Sequence, residues 1–413
     1  VKHLKDTIFV GIDVSQTTNT VHVMNSSGSK LWHQTFYNSL DGSHEFMDRL
    51  LETQKKEDAA FLSFGLEATG CYGDLLSIFL RETDLIPRAC KSVRILNPRQ
   101  VHRFKGSYAE LPKTDDIDAF VIADSLRFGR MGLKGTVVEE KYLALQKLTR
   151  SRFQVAKDLS GEKNRYLQSL FLKFSAMAQD SPFSNNFGET ALQLITAFES
   201  VDQIAYTSIE DLAIFLNQHG KGHFVDPESL ANEIQKAARS SYRLPKAVAD
   251  SVNQVLAMQT QTIRFYEQQL REYDKLIQDY MTGIPNTLTS VKGIGPVYAA
   301  GIIAEVGDVT RFKDQAALAN YAGLSWSRHQ SGKFEAEQTH LIHSGNRYLR
   351  YYLIEATNSV RKHDPELRRF YALKYKETAK TKGKRALVLS ARKFVRVVYA
   401  LLRDNRIYIP RED

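Results

Sequence analysis

Asp115 and Asp118 stand three residues apart in Lys113-Thr114-Asp115-Asp116-Ile117-Asp118-Ala119, a stretch that reads as a helix start with Thr114 as its N-cap. On a helix this spacing puts both carboxylates on one face, close enough to share a hard divalent cation, and turns Asp116 elsewhere. Acidic first turns also suit the positive end of a helix dipole, so the pair alone decides nothing. Two acids upstream change the balance. The apolar runs Thr7-Ile8-Phe9-Val10-Gly11-Ile12-Asp13 and Phe61-Leu62-Ser63-Phe64-Gly65-Leu66-Glu67 read as buried strands, and each closes on a carboxylate. In α/β sheets, sites form beyond the carboxyl ends of strands. Asp13, Glu67, Asp115 and Asp118 are therefore the candidate catalytic acids and the candidate ligands of one or two Mg²⁺ ions.

The elements that would position these acids follow from periodicity. Residues 7–14, 20–24 and 30–36 form a three-strand meander with a turn at Ser26-Ser27-Gly28-Ser29, followed by an amphipathic helix over 41–51. After Glu67, Ala68-Thr69-Gly70 turns into a helix through Leu75, Leu76 and Phe79. Apolar residues at three- and four-residue steps predict a long helix over 141–174. A second carries Val248, Val252, Val255, Gln259, Thr262, Tyr266, Leu270, Tyr273, Ile277 and Tyr280 in heptad order. Such a pair is either an intramolecular hairpin or a dimer-forming coiled coil. Between them, 181–242 contains Pro182, Gly188, Gly220, Gly222 and Pro227 and reads as a helical insert.

Further on, Val291-Lys292-Gly293-Ile294-Gly295-Pro296 has the form of a helix-hairpin-helix turn. Its backbone N–H groups suit a phosphate, with Lys292, Gly293 and Gly295 as contacts, or its glycines serve only close helix packing. Ser325 to Phe334 is a polar, basic loop that includes Arg328 and Lys333, and Arg347 and Arg350 interleave with aromatics on the next helix. Lys382, Lys384 and Arg385 lie in a basic tract suited to phosphates.

At 413 residues the chain calls for two or three domains, and a net charge of +9 favours a polyanionic partner. Two cysteines, Cys71 and Cys90, in no C-x-x-C arrangement exclude a disulfide framework and a zinc ribbon. No apolar run approaches the roughly 20 residues of a membrane span, and no signal-peptide pattern is evident, so a cytoplasmic protein is expected.

The order D, E, D-x-x-D behind a three-strand meander resembles the RuvC-like branch of the ribonuclease-H fold. Leu96-Asn97-Pro98-Arg99-Gln100-Val101 followed by the Lys113 to Ala119 stretch resembles, more closely, the DEDD transposases of bacterial insertion sequences, which are related to the pilin-gene invertases. Gly323-Leu324, Gln330-Ser331-Gly332 and Gly345-Asn346-Arg347 with Leu349-Arg350 are similar to that family's C-terminal domain. The resemblance implies a RuvC-like α/β domain over 1–140, an all-α coiled-coil region over 141–283 with its insert, and a mainly α transposase domain over 284–413. It assigns the nucleophile to Ser331, acting through a covalent phosphoserine at a Mg²⁺ site completed by another subunit. It also implies element-end and target DNA as substrates, a structured noncoding guide RNA, a homodimer or homotetramer, and a nucleoid-associated life in a bacterial or archaeal cytoplasm. Two alternatives remain open at this point: a Holliday-junction-type nuclease that uses only the four acids and water, and a non-catalytic DNA-binding scaffold.

Overall fold

A computed structural model describes residues 6–67, 70–96, 98–108, 114–129, 140–326, 330–331, 334–335, 341, 345–378 and 381–410. They divide into two compact units, one of residues up to 139 with Asp308–Asp314, the other of Glu140–Gly307 with most of the chain from Gln315 onward.

The first unit is built on a mixed sheet. Its elements in chain order are β1 (Thr7–Val14), β2 (Thr18–Met24), β3 (Lys30–Tyr37), α1 (Leu40–Lys56), β4 (Phe61–Glu67), α2 (Tyr72–Glu82), β5 (Lys91–Leu96), α3 (Pro98–Lys105) and α4 (Asp115–Phe128). The strand order is β3-β2-β1-β4-β5. The β1–β2–β3 meander is antiparallel, while β4 and β5 add in parallel to β1, an arrangement consistent with a ribonuclease-H-like domain. Strand alternation sorts the side chains. Ile8, Val10 and Ile12 of β1 and Leu62, Phe64 and Leu66 of β4 join Phe46, Met47 and Leu50 of α1 in one core. Phe9 faces the other way, into a smaller core with Val121, Ile122, Ala123 and Leu126 of α4.

That second face carries two glycines for a physical reason. Gly11 and Gly65 are paired across β1 and β4. A Cβ on Gly11 would lie 2.0 Å from the Ala119 carbonyl oxygen and 2.4 Å from the Ala123 nitrogen, and one on Gly65 would lie 2.8 Å from Leu126 Cδ1. The absent side chains let α4 lie directly on the sheet backbone.

The second unit is mainly helical: α5 (Glu140–Lys173), α6 (Ser175–Gln179), α7 (Glu189–Ala197), α8 (Val201–Tyr206), α9 (Ile209–Gly220), α10 (Pro227–Ser240), α11 (Lys246–Met281), α12 (Pro296–Val306), α13 (Gln315–Tyr321), the short strands β6 (Gln330–Ser331) and β7 (Phe334–Glu335), then α14 (Arg347–Val360), α15 (Pro365–Glu377) and α16 (Lys382–Asp404). The long helices α5 and α11 run antiparallel, tied by Arg152 to Asp274 and by Lys163 Nζ to Glu267 Oε1 at 2.7 Å. Helices α6 to α10 fold onto one stretch of this pair, around Tyr166, Leu170, Phe174, Leu194, Leu212 and Ile234. The starts of α8, α9 and α10 are capped by Ser200, Ser208 and Asp226, the last with Pro227 in the first helical position.

The face of α11 that packs inward differs from the heptad expected. Its buried stripe runs through Leu256, Thr260, Ile263, Ile277 and Met281, with Val252, Tyr266 and Leu270 partly covered. Val248, Val255 and Tyr280 are exposed. The helix carries apolar residues on two faces, and periodicity alone does not tell which one the partner helix covers.

Candidate active site

Asp13 and Glu67 occupy equivalent places. Each follows its glycine by two residues, so each projects from the same sheet face as Gly11 and Gly65, at the carboxyl end of its strand. Helix α4 crosses that face with Ala119 and Ala123 seated against Gly11. Asp115 lies one turn before Ala119 on this helix, and Asp118 one turn before Ile122. Asp13 and Glu67 sense the other acids. Burial, and then the charges of Asp118 and Asp115, push the Asp13 carboxyl up from its ordinary 3.8 to about 6. Burial, and then Asp13 and Asp118, raise Glu67.

Two cations and one histidine trim this cluster. Lys105, the last residue of α3, places Nζ 2.6 Å from Asp118 Oδ1. Asp116 turns off the acid face: its Oδ1 lies 3.1 Å from Nδ1 of buried His22 on β2, and its Oδ2 lies 3.9 Å from Lys30 Nζ. Thr114 stands at the N-cap of α4, but its side chain makes no capping bond, and the first turn is instead tied through Asp116 to β2 and β3 and through Asp118 to Lys105.

The donor chemistry fits a hard divalent cation, since burial and neighbouring carboxylate charge disfavour the ionised forms of Asp13 and Glu67, and a cation relieves both. As placed, no three histidine, cysteine or carboxylate side chains among the described residues close into a metal-holding set.

In the second unit, Ser331 ends β6 and pairs with Phe334 of β7 in an antiparallel hairpin. Arg328, Lys333 and Gly332 lie outside the described residues, as does Lys113. The stems of this loop run together through a bridge between Trp326 and Leu341. Lys382, Lys384 and Arg385 are exposed at the start of α16, and Arg347 is exposed at the start of α14 with its guanidinium 4.8 Å above the Tyr348 ring. Arg350 is half-buried, its Nη1 3.5 Å from the Ala322 carbonyl oxygen, and so is partly committed to the loop base. Gly293, at φ 106°, would set a Cβ 3.0 Å from the Val360 backbone, so close packing requires it, whereas Lys292 and Gly295 are exposed.

Comparison with known proteins places both units. A family profile described as Transposase, of the DEDD type of IS110, matches residues 10–174. A second, described as Transposase IS116/IS110/IS902 family, matches residues 286–372. The 44.8 kDa protein of insertion element IS116 from Streptomyces clavuligerus is 26% identical across 98% of this chain and 97% of its own length. The chain belongs to the IS110/IS116/IS902 transposase family. The 42 kDa protein of IS900 from Mycobacterium paratuberculosis is 23% identical over the same 98% of the chain and 97% of its own length. The pilin gene-inverting protein of Moraxella bovis is 31% identical over 29% of this chain and 37% of that protein. The transposase is thus an enzyme of DNA recombination, and DNA is its substrate. Among its described residues no helix is long and apolar enough to cross a membrane.

Several residues that shape this transposase's candidate site escaped sequence reasoning. Gly11 and Gly65 carried a usable signal, the repeated Gly-x-acid ending of two strands. His22 and Lys105 carried none, because the sheet register and the α3–α4 packing that bring them to the acids are not local properties of the chain.

Proposed function

We propose that this transposase cuts and rejoins DNA strands through a covalent phosphoserine formed on Ser331, with Asp13, Glu67, Asp115 and Asp118 holding one or two Mg²⁺ ions. The observation that carries the reading is the electrostatic coupling of four carboxylates drawn from β1, β4 and α4 on one sheet face. Bound Mg²⁺ would supply charge neutralisation at a phosphodiester and would favour the ionised form of an attacking hydroxyl. The serine does the bond exchange. Its Oγ gives up its proton and bonds to phosphorus as one ester P–O bond breaks, the departing strand oxygen takes up a proton and leaves as a hydroxyl, and a later strand hydroxyl reverses the step and frees the serine. Because the ester bond is stored on the protein, rejoining needs no external energy source.

Three regions divide the labour in this reading: 1–140 as the RuvC-like acid domain, 141–283 as a coiled-coil region with its insert, and 284–413 as the serine-bearing domain. The turn at Lys292 and Gly295 acts as a helix-hairpin-helix phosphate contact, supported by the exposure of both residues. Arg328, Lys333, Arg347, Lys382, Lys384 and Arg385 add phosphate contacts, supported by the net charge of +9. A structured noncoding RNA selects the sequences by pairing, which leaves the protein to read shape and charge. Family resemblance supports that guidance. A dimer or tetramer forms through α11, supported by its exposed apolar stripe.

The test is the Ser331→Ala variant, incubated with labelled DNA bearing the element's own junctions, Mg²⁺ and RNA transcribed from the element's noncoding flank, and analysed on denaturing gels. Wild-type protein gives a protease-sensitive DNA adduct and Ser331→Ala gives none. Cutting that continues without the hydroxyl identifies a water-using nuclease instead, and an adduct that persists moves the nucleophile elsewhere.

A further inference from the structure

Where the chain enters and leaves the Ser331 loop lies a polar cluster that the chemistry above does not use. Glu305, near the end of α12, has a fully buried side chain. Arg150 of α5 grips it with two bonds, Nε to Oε1 at 2.7 Å and Nη2 to Oε2 at 2.9 Å. Asn346 Nδ2 donates to Oε2 at 2.7 Å and reaches the Tyr321 hydroxyl at 3.2 Å. Gln146 Nε2 lies 3.5 Å from the same carboxylate oxygen and donates to the Ala304 carbonyl at 3.0 Å. The Arg150 side chain stays 39% exposed while the Glu305 carboxylate is out of water, and an ion pair of this kind adds little to stability once the carboxylate's desolvation is counted, so bulk stability gives little reason for the arrangement.

The cluster's members suggest another task. Tyr321 is the last residue of α13, where the chain enters the Ser331 loop, and Asn346 is where it leaves. Asn346 acts at three points. Its backbone N–H donates to the Tyr321 carbonyl at 2.6 Å, its Oδ1 accepts from the N–H groups of Tyr348 and Leu349 at 3.0 Å each to cap α14, and its amide hydrogens hold Glu305. Beside it the stems touch backbone to backbone, since a Cβ on Gly345 would fall 2.0 Å from the Gly323 nitrogen.

We infer that Glu305, Arg150 and Asn346 are positioning residues, a clamp centred on the buried Glu305 carboxylate that fixes both ends of the loop carrying Ser331 and so sets where its hydroxyl is presented. The inference rests on the reading of Ser331 as nucleophile. A misplacement on the order of 1 Å at a reacting group costs about 100-fold in rate, which is the size of effect such a clamp controls.

The decisive variant is Asn346→Asp in the full chain. It keeps the volume and the capping oxygens, but sets a carboxylate where Glu305 needs a donor. Glu305→Gln added to it returns a donor across the same contact. Trp32 and Trp326 are the two tryptophans, so in a Trp32→Phe background the emission of Trp326 reports the loop stem directly. Asn346→Asp is expected to bind junction DNA and flank RNA within about threefold of its parent, form the adduct about 100-fold more slowly, and shift Trp326 emission to the red. The double variant is expected to recover at least about tenfold of the rate, and the emission with it. Should Asn346→Asp not fold, Asn346→Ser, which keeps a capping oxygen and removes the amide donor, is read in the same way. A parental rate in the single variant overturns the clamp, as does a lost rate with unchanged Trp326 emission. If instead Ser331→Ala still forms adducts, the nucleophile reading fails by itself, and the Trp326 emission of single and double variants alone decides whether the clamp holds the loop.

Discussion

Asp13 holds its proton more tightly in the folded protein than in the unfolded chain, and that difference is measurable as stability. Its folded value near 6 lies above its ordinary 3.8. A group shifted in this direction contributes stability that is complete below pH 3.8 and is lost as pH rises through about 6, because the ionised form is buried and also lies near Asp118 and Asp115. Asp13→Asn removes the charge and keeps the shape. In the presence of a chelator it should raise the melting temperature at pH 8 and leave it nearly unchanged at pH 4, as thermal denaturation at the two pH values will report. Adding Mg²⁺ at pH 8 should raise the melting temperature of the native protein more than that of the variant, since the cation stabilises by binding the folded form. An equal gain from Asn at both pH values would mean that burial and its acidic neighbours do not raise Asp13.

At the scale of elements, the seat of α4 on Gly11 governs how the acids meet. Gly11→Ala forces a methyl group into backbone atoms 2.0 and 2.4 Å away, so the helix must lift from β1. The expected cost is about 1–3 kcal/mol of stability, with strand cleavage lost further than stability explains, because Asp115 and Asp118 move with the helix. Gly73→Ala, in the first turn of α2 with its nearest neighbour 3.8 Å from the new methyl, is the control and should be neutral or slightly stabilising by urea denaturation. Equal cleavage by the two variants would detach α4 from the chemistry. The meander, β4 and the long helices were legible in the chain, because their apolar periods are strong and their ends carry turn residues. The two acid-tipped strands were legible for the same reason. The α11 seam was not, since two apolar faces share one period, and neither was the cluster around Glu305, whose partners lie 155 residues upstream at Arg150 and 41 downstream at Asn346. Asn346 could be seen in the sequence as part of a motif, but its task depends on α12 arriving beside it.

For the whole molecule, the unclaimed face of α11 bears on assembly. Val248, Val255, Met258, Phe265 and Leu276 form a stripe that is 45–68% exposed and runs about 42 Å along the helix at 1.5 Å per residue. Two copies joined along it would cover ten such side chains. At roughly 1 kcal/mol for each half-exposed group, the gain is about 10 kcal/mol. Association costs on the order of 4–15 kcal/mol in lost freedom, so this stripe by itself supports a weak dimer that bound nucleic acid would reinforce by holding two copies together. Met258→Lys with Phe265→Lys places two like charges per copy at the middle of the stripe without touching the buried seam through Leu256, Thr260 and Ile263. Sedimentation of the native protein should show a dimer that strengthens with concentration and with bound DNA, while the double variant stays a monomer with an unchanged melting temperature. A double variant that dimerises as well as the native chain places the interface elsewhere. A native chain that remains monomeric at micromolar concentration, with and without nucleic acid, removes the dimer itself, and with it the need for a second subunit to complete the chemistry.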